Sequence, residues 1–334
     1  MKFFRVFCAF ILVFSIFFTI FIGKNKINEN VILGDKKEYK TVLSLWHVDT
    51  FEGGSGSRKQ FLLDASIAFE KQNTGVLIMV TSMSLSALNN NLKNGVFPDI
   101  LSSGIGSSAT ATFAMSSKNS FYGGKVGDRI YAKPWCRGNY FLISKKADVL
   151  EDKNVENLIV SEGENNLPIL SLILDGVYSK NAKILPPQKA YTEFLNDKNG
   201  VLLGTQRDIV RLNQRGYDYH CKPLFSYNDL YQYFYILTNN AKQGVYAENF
   251  IDFVLGESYQ DKLSKLQMLS NVINVDCYED IATAQNTAIK NTISAFILPE
   301  RLGELKKLCA LALTGDKDAE NKLKKLVVTP WKKF

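Results

Sequence analysis

Residues 46–58 read WHVDTFEGGSGSR. Trp46, His47 and Asp49 stand just ahead of Gly53, Gly54, Ser55, Gly56, Ser57 and Arg58. An indole offers a rigid stacking face with one polar N–H. His47 and Asp49 can hydrogen-bond hydroxyl groups, and a histidine beside a serine can also move a proton. Glycines permit close backbone approach, and free amides at a helix start attract anions. Arg58 adds a charged fork for a carboxylate or phosphate. Stacking with hydroxyl recognition, anion binding and serine hydrolysis are therefore all chemistries for this loop. A nucleophile elbow, G-x-S-x-G, fails because position 57 is serine. A Walker A loop fails because no lysine follows the last glycine. Simpler roles compete at each position: Trp46 as a core residue at a strand end, His47 as a local loop contact, Ser55 or Ser57 as a helix N-cap.

The elements around the loop decide what it faces. Val42–Trp46 reads as a strand. From Arg58 to Gln72 the apolar residues Phe61, Leu62, Ala65, Ala68 and Phe69 have helical spacing, and Asn73-Thr74-Gly75 stops the helix. Val76–Val80 is an unbroken apolar run, expected as a strand buried on both faces. Leu85, Leu88 and Leu92 mark a second helix, and Pro98–Leu101 opens a third strand. This is βαβαβ, so the expected architecture is α/β with a parallel, doubly wound sheet. Ligands of such sheets sit beyond the carboxyl ends of strands where strand order reverses. The loop after Trp46 and the loop carrying Ser102 and Ser103 then share one crevice. Further on, Tyr140–Ile143, Val201–Leu203 and Tyr231–Leu237 read as strands. Thr205 and Asp208 have capping-box spacing. Ala247–Leu269 reads as a helix broken at Gly256, and the last 60 residues as mostly helical.

The 334 residues suit one large domain or two lobes. The formal charge is +7, but Lys2, Arg5, Lys24 and Lys26 belong to the N-terminal segment, and without them 36 basic residues face 33 acidic ones. With no dense basic stripe interleaved with aromatics, nucleic acid is not an expected partner. Lys2 and Arg5 precede an uncharged run of 18 residues, Val6–Gly23, near the length that spans a bilayer. It ends in TIFIGKNK, without an A-x-A-like cleavage site. Residues 1–26 are expected to be a retained signal anchor with the bulk of the chain outside; a cleaved signal peptide followed by secretion is the alternative. Residues 27–40 form a polar tether. The cysteines are Cys8, Cys136, Cys221, Cys277 and Cys309, with no CxxC pair, and there are two histidines. No structural zinc, metal site or cofactor is expected. The last four cysteines either pair or remain free thiols.

Six stretches, taken in order, resemble the extracellular solute-binding proteins of ABC importers, in the large family whose best-known members bind sugars. They are LSLWHVDTF, FEKQNTGVLIMV, NGVFPDILSSG, KPWCRGNYFLISKK, VLLGTQRDIVR and AENFIDFVLGESYQDKL. The PDI element and the FVLGESYQ helix are the more specific ones. The resemblance covers most of residues 41–270. It implies the two-lobed type II periplasmic-binding fold, with ligand held between lobes joined by crossing strands. Lobe 1 is expected over 41–136 and 237–275, and lobe 2 over 137–236 and 276–334. The crossings are expected near Trp135–Tyr140 and Tyr227–Leu237. The lipobox usual for surface-anchored relatives is missing.

The resemblance implies a binding role without a chemical step, a small-molecule ligand, sugars foremost, and a membrane ABC permease as partner. It places Trp46, His47, Asp49, Gly54, Ser55, Arg58, Ser102 and Ser103 on one lip of the cleft. Trp135, Arg137 and Asn139 would reach it from the first crossing, with Trp135 as a stacking platform. Thr205, Gln206 and Arg207 would begin a helix of the other lobe, and Tyr227 and Asp229 would line the cleft beside the second crossing. Three other readings stay open: an anionic solute, motivated by residues 53–58; a sensor that presents its ligand to a membrane kinase; and a surface hydrolase using His47 with a serine.

Overall fold

A computed structural model describes residues 39–49, 56–116 and 121–330. The expected anchor, the tether up to residue 38, and the loop residues Gly54 and Ser55 lie outside the described residues. Among the described residues no helix is long and apolar enough to cross a membrane. The chain divides into Met1–Lys40 and Thr41–Phe334, and the second unit carries the fold.

It begins Thr41–Val48 (β1), Arg58–Gln72 (α1), Val76–Met83 (β2), Leu85–Lys93 (α2) and Ile100–Ser103 (β3). Leu43 and Leu45 alternate with more open residues along β1 and bury themselves with Phe61, Leu62, Ala65 and Phe69 of α1. Ser57 caps α1 by accepting from the Gln60 amide at 3.2 Å. Gly75, at φ +90°, turns the chain into β2. β1 pairs in parallel with both β2 and β3, the expected βαβαβ unit. One expectation is corrected here. β2 is the edge of its sheet, and Met79 is 58% exposed, because a helix covers only one face of this strand.

The chain continues as Lys125–Val126 (β4), Arg129–Ile130 (β5), Lys133–Arg137 (β6), Tyr140–Ser144 (β7), Leu158–Ser161 (β8), Pro168–Leu174 (α3), Lys183–Leu185 (β9), Pro187–Asn196 (α4), Val201–Thr205 (β10), Gln206–Gln214 (α5), His220–Pro223 (β11), Tyr231–Ile236 (β12), Ala241–Val254 (α6), Glu257–Gln260 (α7), Glu279–Asn286 (α8), Pro299–Leu313 (α9) and Lys317–Lys324 (α10). The first sheet has the order β2-β1-β3-β12-β6 and the second β11-β7-β10-β8-β9. β12 runs antiparallel to β3 and β6, so residues 231–236 belong to the first lobe. The expected lobe boundary at 236/237 is corrected to before Tyr231.

Three segments cross between the sheets. Gly138 and Asn139 link β6 to β7. Residues 224–230 link β11 to β12. A third passes through Leu269, whose amide and carbonyl pair with those of Arg137 at 2.9 and 2.8 Å, before α8 packs on β11. α9 and α10 pack on α3 in the second lobe, yet α9 also reaches the first. The Gly106 amide donates to Ile297 O, and a Cβ on Gly106 would meet Leu302 at 2.8 Å. One continuous core therefore runs from Leu85 and Leu88, past Tyr231, Tyr233 and Tyr235, to Leu170 and Leu305.

Gly124 gives a direct steric test of this frame. A Cβ there would lie 1.9 Å from the Ala132 carbonyl oxygen, which is backbone and cannot rotate away. Gly124→Ala is expected to lower the urea midpoint by an amount equivalent to about 1–3 kcal/mol. Gly303→Ala, within α9 and with no atom inside 4 Å of the new Cβ, should be neutral or mildly stabilising. Equal effects of the two substitutions would contradict the Gly124 packing.

Candidate functional site: a cleft between the lobes

The carboxyl ends of β1, β2, β8, β9 and β10 face one another across a cavity of about 930 Å³. The first lobe contributes Val48 and Asp49 after β1, Gly56, Ser57 and Arg58 at the start of α1, and Ser84 and Leu85 at the start of α2. The second contributes Glu162–Asn165 after β8, Leu185–Gln188 around the start of α4, and Arg207 at the start of α5. Met268 of the third crossing and Lys306 of α9 complete it. A narrow recess shares Arg58, Asn165 and Met268 with the cavity and continues to Gly138, Asp229 and Tyr231 at the crossings.

Four helices thus begin at the cleft. Ser57 caps α1, Ser84 caps α2 by accepting from the Ala87 amide, and Pro187 opens α4. In α5 the capping box is complete: the Thr205 amide donates to Asp208, and the Thr205 hydroxyl accepts from Arg207 N. Helix starts present amides and the positive end of the macrodipole. Arg58, Arg207 and Lys306 add formal positive charge; Asp49, Glu162 and Glu164 oppose it. Lys306 donates to Gly163 O and stands 3.5 Å from Glu162. Burial raises the Glu162 pKa, and the nearby Lys306 offsets that only in part.

Of the residues expected at a ligand, Asp49, Arg58 and Arg207 line the cavity, and Asp229 lines the recess. Others turn inward. Trp46 is half-buried against the core. Trp135, expected as a stacking platform, is fully buried, stacked on Phe61 at 5.3 Å and on Phe234 at 5.7 Å. Asn139 is buried, its amide donating to Gln206 Oε1 and its side chain to the carbonyls of Tyr140 and Leu224. Gln206 is buried by the same contact, Thr205 serves as a cap, and the buried Tyr227 hydroxyl donates to Asp229. Ser103 is buried and donates to Gly104 O. Arg137 lines a different cavity from Gly138, and its Nη2 donates to the carbonyls of Ala284 and Gln285. Trp135, Ser103, Thr205, Gln206 and Tyr227 have protein partners where a ligand was expected.

His47 and Ser102 need separate treatment, because with Asp49 they form an array like a catalytic triad. Ser102 Oγ lies 3.0 Å from His47 Nδ1, and His47 Nε2 lies 3.2 Å from Asp49 Oδ1. Trp135 Nε1–H donates to the same Ser102 oxygen at 3.0 Å. The pattern fits a neutral histidine that accepts from Ser102 and turns its Nε2 proton toward Asp49. Ser102 and His47 are both fully buried, so no substrate reaches the serine. The array holds β1 against β3 and β6.

Burial is the main influence on His47 and lowers its pKa from 6.5. The hydrogen bond from His47 is the main influence on Asp49 and lowers its pKa from 3.8 to about 2. Both depressions have one sign: the unfolded chain takes up protons first as pH falls. The His47 contribution is complete above 6.5 and erodes below it; the Asp49 contribution is complete above 3.8 and is lost toward 2. The urea midpoint is expected to fall as pH drops from 7.5 toward 5, and His47→Asn should flatten that dependence. An unchanged slope in the variant would remove His47 as its source.

Residues Glu162–Asn165, Leu185–Gln188, Met268 and Lys306 were not singled out from the sequence. The available signal was the short apolar run Leu158–Ser161 ahead of Glu-Gly-Glu-Asn, a strand followed by a polar turn.

No family model matches the chain, and no curated protein matches it. Solved structures do share its fold. The galacto-N-biose-/lacto-N-biose I-binding protein of the ABC transporter from Bifidobacterium longum, in complex with lacto-N-biose, is 12% identical, with a TM-score of 0.53 over 87% of this chain and 96% of that one. The GacH receptor of Streptomyces glaucescens, solved unliganded and with acarbose, is 12% identical, with a TM-score of 0.52 over 85% and 95%. A probable secreted solute-binding lipoprotein from Streptomyces coelicolor is 11% identical, with a TM-score of 0.55 over 85% and 98%. The chain has the two-lobed type II periplasmic-binding fold of these proteins.

Proposed function

We propose that the protein is an extracytoplasmic solute-binding receptor, tethered by residues 1–26, that captures a small molecule between its lobes and passes it to an ABC permease. The observation that carries this reading is the construction of the cleft, with walls from both lobes around segments that cross between them. A ligand touching both walls favours the closed arrangement, because only there are all its contacts made. The buried, spoken-for state of Ser102 supports binding without a chemical step. A carbohydrate is the ligand class that the lacto-N-biose and acarbose complexes of the similar structures favour.

A second reading is favoured by the lining itself. Among the described residues the cavity carries no aromatic side chain, whereas Arg58, Arg207, Lys306 and four helix starts face it, opposed by Asp49, Glu162 and Glu164. Those groups suit an anionic solute, such as a sugar phosphate or a carboxylate.

One experiment separates the two: thermal unfolding of the full-length chain against neutral oligosaccharides, sugar phosphates and small carboxylates. A ligand at about a hundred times its dissociation constant adds roughly 2.7 kcal/mol of stability. A midpoint raised by neutral sugars supports the carbohydrate receptor. A midpoint raised by anions, with affinity falling about tenfold or more in Arg207→Ala, supports the second reading. Conversion of any ligand to product would overturn the receptor role, and so would the absence of any shift.

A further inference from the structure

Behind the crossings lies another cavity, of about 850 Å³. Lys133, Pro134 and Arg137 of β6 form one wall, and Ser270–Asn274 of the third crossing and residues 285–290 form the others. Its described lining includes Lys133, Arg137 and Lys290 and no carboxylate. Lys133 is already matched, by Asp252 at 3.0 Å and Glu248 at 3.7 Å. Arg137 is not. It is 6% exposed, and its Nη2 donates to the backbone carbonyls of Ala284 and Gln285. Its Nη1 is buried without an acceptor, and so is the Nδ2 of Asn271, another lining residue. A buried guanidinium normally has a counter-charge, because taking it out of water unpaired is unfavourable. Burial here also lowers the Arg137 pKa. Tyr231, Leu255 and Ile273 supply apolar lining.

We propose that this hinge-side cavity is a second binding site, for a small oxyanion that accepts from Arg137 Nη1 and Asn271 Nδ2. A carboxylate and a phosphate share that chemistry. The occupant would contact β6 and the third crossing together, the two segments already joined by the Arg137–Leu269 pair. It would then bias the angle between the lobes without entering the front cleft.

The test uses the full-length chain carrying Arg207→Ala, so that anion binding in the front cleft is weakened. Inorganic phosphate and succinate are titrated calorimetrically. Saturable binding of one of them is expected, with its identity choosing between phosphate and carboxylate. Asn271→Asp, which sets a negative charge beside the ligand, should weaken it by about tenfold or more. Lys290→Glu, at the exposed rim, should weaken it less and in a salt-dependent way. Arg137→Met tests the central contact, and Asn271→Asp keeps the proposal testable should that variant fail to fold. Three results would overturn it: no saturable binding of either probe, binding in the wild-type chain that vanishes with Arg207→Ala, or affinity unchanged by Asn271→Asp.

Discussion

Trp135→Ala is expected to destabilise the folded chain by about 3–5 kcal/mol, the range for deleting a large buried aromatic side chain. The indole has no exposed surface and lies between Phe61 of α1 and Phe234 of β12. Removing it empties the layer that joins α1 to the first sheet. It also removes the N–H that donates to Ser102, and so loosens the partner of His47. The loss should appear as a lower urea midpoint with little change in slope. Trp135→Phe should recover much of the packing and none of the hydrogen bond. A Trp135→Ala chain of wild-type stability but impaired binding would instead return this residue to the cleft.

Asp229→Ala carries the second large effect. Asp229 is 2% exposed and accepts from the Tyr140 hydroxyl at 2.5 Å, the Tyr227 hydroxyl at 2.9 Å and the Leu167 amide at 2.7 Å. These donors come from β7, from the second crossing and from the start of α3. One carboxylate therefore ties the crossing to the second lobe. Taking the acceptor from a buried donor costs about 1–3 kcal/mol each, so the substitution should cost roughly 3 kcal/mol or more. Tyr227→Phe removes one of the three bonds and should cost about 1 kcal/mol. If Asp229→Ala costs no more than Tyr227→Phe in the same denaturant titration, the carboxylate does not act as the common acceptor.

The first lobe was largely legible in the sequence. The helical spacing of Phe61, Leu62, Ala65 and Phe69 and the stop at Asn73-Thr74-Gly75 match α1 to the residue, and three apolar runs gave its parallel strands. The edge position of β2 was not legible, since an apolar run does not state how many neighbours a strand has. In the second lobe β8 and β9 have four and three residues, too short for periodicity to distinguish them from loop. Glu162–Asn165 and Leu185–Gln188 were missed with them. Lys306 reaches the cleft from a helix more than 140 positions beyond Gly163, a contact that only the fold creates. The opposite error has one cause as well. Tryptophan, histidine, asparagine and glutamine are residue types that bind ligands, but sequence does not reveal the internal partners that occupy Trp135, His47, Asn139 and Gln206.

The described thiols have a practical consequence. Cys136 and Cys221 have pKa values pushed up to about 12, chiefly by burial, and those of Cys277 and Cys309 are raised too, again chiefly by burial. All four are free and unpaired with one another. Thiolate is the reactive form, so maleimide reagents should pass over these four sites at neutral pH. Fluorophores can then be attached to cysteines introduced at Ser84 and Gln188, on opposite walls of the cleft, without removing these four thiols. The separation of such a pair would report lobe closure in real time, for the front cleft and for the cavity behind the crossings alike.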